Sequence, residues 1–242
     1  RSTWMVVLII SALNFAGHVA RRLVGPARGY GVTGALGGVV SSTVVTLGFS
    51  RESDRHTALR LAYATGVVAA CTVLFPRVLV IAAMLNLDVA RPLWPLLAPP
   101  CAAGVLMTWW MSRQHLTSKH SASADLRSPL GFVSALQMAL AFQLVLLFLA
   151  MVRGRFGDAG VYTSAAVFGT TDVDALTVAM TRTDALVPTA VAARAIAVGI
   201  ASNTVIKLAI VLVVGRGAFR VNAGVALAVM LAALIGTLLL VP

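Results

Sequence analysis

The chain has 242 residues, 59% of them hydrophobic and only 11% charged, with a mean hydropathy of +0.93. A water-soluble domain carries about 25% charged residues, so the outside of this fold meets lipid rather than water. The formal net charge of +11 does not point to nucleic acid, because the basic residues are scattered over loops without a basic stripe or interleaved aromatics. Short arginine-rich loops beside apolar runs are ordinary topology signals, and they can touch anionic headgroups.

The apolar residues come in runs of about 20, enough to cross about 30 Å of hydrocarbon. They predict an all-α fold, a polytopic integral membrane helix bundle of about eight transmembrane helices. The first two spans are expected at 3–19 and 30–49, the next two at 59–85 and 93–111. A polar linker at 112–128 (SRQHLTSKHSASADLRS) precedes spans at 131–152, 160–180, 187–214 and 221–241. Arg1 stands where a methionine is usual, which suggests a fragment or a trimmed chain. Lysines and arginines divide almost evenly between the two loop sets, so orientation stays open, and a homo-oligomer is possible.

Shifting the chain by 131 residues lays GALGGVVSSTVVTLGFSR, from Gly34, on AAVFGTTDVDALTVAMTR, from Ala165, without a gap. Gly38 then meets Gly169, Ser41 meets Asp172, Thr43 meets Asp174 and Thr46 meets Thr177. A shift of 130 pairs Arg77 with Lys207. The reading is one membrane domain, 1–242, made of two repeats, 1–113 and 129–242. Four spans in each make the repeats parallel, and one span more or fewer would invert one of them.

Four ionisable residues fall inside spans, where each costs roughly 2.5–3.5 kcal/mol on insertion scales. Asp172 and Asp174 lie in the sixth span, Arg77 in the third and Lys207 in the seventh, and their formal charges sum to zero. Residues two apart on a regular helix cannot face one point. Either the helix is irregular after Gly169, Thr170 and Thr171, letting both carboxylates and backbone carbonyls converge on a cation, or one aspartate meets a basic residue and the other faces a polar cavity. Ser41, Ser42 and Thr43 present hydroxyls where the other repeat presents carboxylates, and Asn203 lies one turn before Lys207. Oxygen donors of this kind suit hard cations such as Mg, Na or K. Small and hydroxylated residues in spans also serve simply as helix-packing surfaces.

Other candidates carry less. Pro76 beside Arg77 is placed to kink the third span and turn the arginine inward. His18 reads as interfacial, and His115 and His120 sit in the linker and make a poor metal pair. Trp94, Trp109 and Trp110 bracket the fourth span as interface anchors do, and Cys71 and Cys101 read as inert core thiols. No nucleophile–base set, phosphate loop or zinc spacing occurs, so an enzyme is not expected.

The segments LNFAGHVARRLVGP, LGGVVSSTVVTLGFSR, SPLGF, FGDAGVY, DVDALT and SNTVIK resemble the membrane domain of unknown function that forms the C-terminal part of many MgtC/SapB-type bacterial proteins. The resemblance implies a multi-pass protein of the bacterial inner membrane, a loose association with magnesium, and an N-terminal MgtC-like domain as a partner. Matched residue by residue, it marks Ser41, Ser42, Thr43, Asp172, Asp174, Asn203 and Lys207, with Arg77 on a weaker motif. It implies no mechanism. The functional expectation is therefore a channel or transporter, most simply for a cation. Its mid-bilayer site would lie between the repeats, using Asp172, Asp174, Ser41, Ser42, Thr43, Thr170, Thr171 and Asn203, with Arg77 and Lys207 balancing charge. The alternatives are a non-transporting interaction module with a structural charged core, and an anion pathway guided by Arg77 and Lys207.

Overall fold

A computed structural model describes residues 29–114, 157–182 and 187–241. The expected first and fifth spans, His18, His115, His120 and nearly all of the linker lie outside the described residues.

Among the described residues the fold is all helix, as composition requires when no water is at hand to satisfy an open backbone. We number the helices in chain order. Helix α1 is Gly29–Arg55, α2 is Arg60–Leu85 and α3 is Leu87–Gln114, with a short 3-10 turn at Thr57–Leu59 before α2. Helix α4 covers residues 157–169, α5 is Val173–Thr181, α6 is Thr189–Val214 and α7 is Gly217–Leu240. Among the described residues four segments are long and apolar enough to cross a membrane: Tyr30–Arg55, Thr57–Leu85, Thr189–Val214 and Gly217–Leu240. They coincide with the expected second, third, seventh and eighth spans and mark a helical membrane protein. Away from the charged ends, their outward side chains include Val44, Val80, Val213, Val225 and Leu239, all exposed.

Two of the expected spans differ from a single long apolar helix. The sixth span is not one helix, because Thr170–Asp172 interrupts it between α4 and α5. The fourth is a 28-residue helix, α3, but four prolines together with Asp88, Arg91 and Arg113 dilute it, and it is not among the four long apolar segments. Arg194 sits inside α6.

The described residues form two compact units interleaved along the chain. The first comprises 29–77, 100–114 and 206–233; the second comprises 78–99, 157–182, 187–205 and 234–241. In the first, Tyr30 meets Phe49 and Tyr63 edge to face at centroid distances of 6.1 and 4.9 Å, and Phe49 and Tyr63 lie tilted at 5.3 Å. Glycines let the backbones of α1 and α2 touch: a Cβ on Gly34 would land on the carbonyl of Gly66, and one on Gly38 would lie 2.6 Å from Ala70. This is the small-residue packing by which membrane helices approach closely. The second unit uses the same device, with Gly169 against Gly199 and Ala165 nearby. There Thr237 Oγ1 donates to the Leu96 carbonyl at 3.0 Å, and Arg194 Nη2 donates to Leu238 O at 2.7 Å, occupying a carbonyl at the α7 end.

The turn into α7 is fixed by backbone chirality. Gly217 has φ +52°, and an added Cβ would lie 2.6 Å from Arg60 Nη1. Arg60 Nε meanwhile donates to Ser53 O at 2.9 Å, and the Arg216 amide donates to Ser53 Oγ at 3.3 Å. Gly217→Ala should therefore cost about 1–2 kcal/mol through left-handed strain and a displaced arginine. Thermal unfolding in detergent checks this, and a melting temperature equal to wild type would show the turn to be slack.

Candidate functional site

Five of the singled-out residues fall in each unit. Ser41, Ser42, Thr43, Arg77 and Lys207 belong to the first; Thr170, Thr171, Asp172, Asp174 and Asn203 belong to the second. Each set gathers at a break in a helix.

Helix α1 is interrupted at Ser41, whose extended backbone (φ −161°, ψ 107°) separates two helical stretches. A break releases carbonyls on one side and amides on the other, and each needs a partner where water is scarce. Ser41 Oγ accepts from Val44 N at 3.3 Å, and Arg77 Nη1 donates to Val40 O at 3.1 Å. Thr46 Oγ1 donates to Ser42 O at 2.8 Å. The hydroxyl of Ser42 accepts from Lys207 Nζ at 2.7 Å. Both basic groups are deeply buried, Arg77 at 8% exposure and Lys207 at 1%. Thr43 and Ser41 are half-buried beside them.

In the second unit, α4 ends at residue 169 and α5 begins at Val173. Asp172 is extended (φ −149°, ψ 103°) and caps α5, its Oδ1 accepting from Asp174 N at 2.9 Å and Ala175 N at 3.0 Å. Its charge suits the positive end of that helix. Asp174 sits in the first turn, half-buried. Asn203 Nδ2 reaches the Gly169 carbonyl at 3.0 Å. Thr170 and Thr171 donate their hydroxyl protons to Val167 O and Phe168 O at 2.7 and 2.8 Å, leaving both oxygens as acceptors. Of the two geometries that the sequence allows, the irregular helix is the one found. Gly169 serves it through its close approach to Gly199 rather than through an unusual backbone angle.

The two breaks agree in detail. Ser41 and Asp172 share an extended backbone, Ser41 and Asp172 cap Val44 and Ala175, and Thr46 and Thr177 bond to the carbonyls of Ser42 and Val173. Every one of these pairs is 131 positions apart. The break at Ser41 was not anticipated. The signal for it is the alignment of Ser41 with Asp172, which pairs a hydroxyl with a carboxylate at the same place in the two breaks. Also unforeseen was that Arg77 and Lys207 both send donors to the break of α1. Pro76, whose ring removes a backbone donor inside α2, is exposed, and its neighbour Arg77 is buried.

For a metal, the donor set is oxygen only. Among the described residues no group of three or more His, Cys, Asp or Glu side chains is placed to hold an ion. A cation at Asp172 would therefore need hydroxyl and backbone oxygens as well as carboxylate, which fits weakly held hard ions rather than zinc. Cys71 is buried and Cys101 half-buried, both as free thiols.

The model of a family described as a domain of unknown function, DUF4010, matches residues 8–215, and the chain belongs to that family. An uncharacterized protein of Aquifex aeolicus (strain VF5) is 24% identical over 193 residues, covering 78% of this chain and 84% of the relative. No solved structure matches.

Proposed function

We propose that this member of a family without an assigned activity is a membrane ion transporter or channel, acting on a cation at the Asp172 interruption. The carrying observation is the interruption itself. Breaking a helix in apolar surroundings forfeits backbone hydrogen bonds, and membrane proteins tolerate this where the broken segment lines a cavity or a binding site. Here the break is held open by dedicated side chains, Asp172 on the amides and Asn203 on the Gly169 carbonyl. Asp172 and Asp174 supply charge, and Thr170 and Thr171 supply further oxygens. The Ser41 interruption, with Ser42 and Thr43, carries the balancing bases Arg77 and Lys207. The matching breaks support an ancient duplication as the origin of the pair. We place the protein in the bacterial inner membrane, as a multi-pass single domain that an MgtC-like domain could accompany.

The test is flux in proteoliposomes, comparing wild type with Asp172→Asn and Asp174→Asn under gradients of Na, K and Mg in turn. Cation flux should vanish in the variants, and unaltered flux in both would overturn the reading. One observation favours a second reading: Arg77 and Lys207 both reach the α1 break, which would suit an anion pathway. Replacing the permeant anion at fixed cation decides between the two. If the variants only lose thermal stability and wild type carries no ion, the charged core is structural.

A further inference from the structure

We propose that Lys207 is a built-in cation, its ammonium standing on the α1 break where the matching break of the other repeat takes a free ion. The inference rests on the cation reading above and deepens it, because it assigns the number of exchangeable ions. Two breaks of one design would be expected to bind two ions. At the α1 break a 1%-exposed ammonium lies 2.7 Å from a hydroxyl oxygen immediately after the extended residue. An ammonium has the charge of a potassium ion and a similar size, and it takes oxygen ligands as a hard monovalent cation does. A buried lysine kept only for packing would have cheaper apolar replacements. The neighbouring Val40 carbonyl is already served by Arg77, and Thr46 serves the Ser42 carbonyl, so the ammonium meets the break at its side-chain hydroxyl. The α1 break is thus permanently loaded, and one free cation, at Asp172, is handled per cycle.

Removing the ammonium should turn the α1 break into a site for a free cation. Lys207→Ala and Lys207→Asn, in the full chain in detergent, should each gain a melting-temperature rise of about 5 °C with saturating NaCl, KCl or methylammonium chloride, relative to N-methylglucamine chloride at equal ionic strength. Wild type keeps the Asp172 break and should show only the rise which that site gives, so the 5 °C is read as the excess over wild type. Lys207→Met keeps the stem without a void and should match wild type. Absence of a specific cation response in both Ala and Asn variants overturns the proposal, as does their failure to fold in every salt, methylammonium included. Two further arms keep its fate apart from that of the cation reading. Ser42→Ala combined with Lys207→Ala should abolish the response, which places it at the α1 break. Unaltered flux in Asp172→Asn and Asp174→Asn, with the Lys207 response intact, would remove transport at Asp172 while leaving the built-in cation standing.

Discussion

Asp172→Asn should purify as a folded protein with a melting temperature within about 2 °C of wild type, yet carry no cation. The two roles of this side chain are separable because they use different properties. Capping needs an acceptor oxygen for the amides of Asp174 and Ala175, and asparagine caps a helix about as well as aspartate does. Holding a cation needs the negative charge, which asparagine lacks. Asp172→Ala removes both: two amides at the start of α5 lose their acceptor, at about 1–2 kcal/mol, or about 4 °C for a chain of this size. Melting curves and proteoliposome flux on the same preparations give the comparison. Equal destabilisation in the Asn and Ala variants would mean that charge, not capping, fixes the break. Normal flux in the Asn variant would mean that the carboxylate is there only for the helix.

Gly169→Val should be the most damaging single substitution in the second unit. Its Cβ alone would collide with the carbonyl of Gly199, and valine adds two methyl groups pointing into the same backbone. Backbone cannot swing aside as a flexible side chain does, so α4 and α6 would have to part. That separation strips the Gly169 carbonyl of its Asn203 donor and loosens the break. Overpacking of this kind costs about 1–3 kcal/mol where neighbours can yield, and we expect the upper end or beyond. Yield of monodisperse protein and its melting temperature are the measurements. Gly169→Ala should fall in between, and a valine variant as stable as wild type would show that the helices are not held at this distance.

The sequence made some of this legible and hid the rest for identifiable reasons. Helices α1, α2, α6 and α7 could be read because lipid demands long apolar runs, and length alone reveals them. Helix α3 was harder, since prolines and charges occupy a helix whose outer face still carries Trp94, Leu106 and Trp110. The break at Asp172 was one of two stated options, because paired acids two residues apart conflict with a regular helix. The break at Ser41 left no such trace: serine is at home in a membrane helix, and only its internal partner betrays it. Lys207 could be recognised as costly from its depth, but its contact with Ser42, 165 residues away, depends on how helices pack, which periodicity does not encode.

The tryptophans of α3 have a use in the laboratory. Of the four in the chain, three sit on this helix, and Trp94, Trp109 and Trp110 are each more than half exposed. At about 1.5 Å per residue, Trp94 and Trp109 stand about 22 Å apart along its axis. In variants that keep one of these tryptophans, emission samples one level of this rod at a time, and brominated lipids placed in one leaflet would report the side on which each ring lies. Shallow quenching of Trp94 and Trp109 from opposite leaflets would put α3 across the bilayer, with a fluorophore near each face. Shallow quenching of both from the same leaflet would lay the helix at the surface.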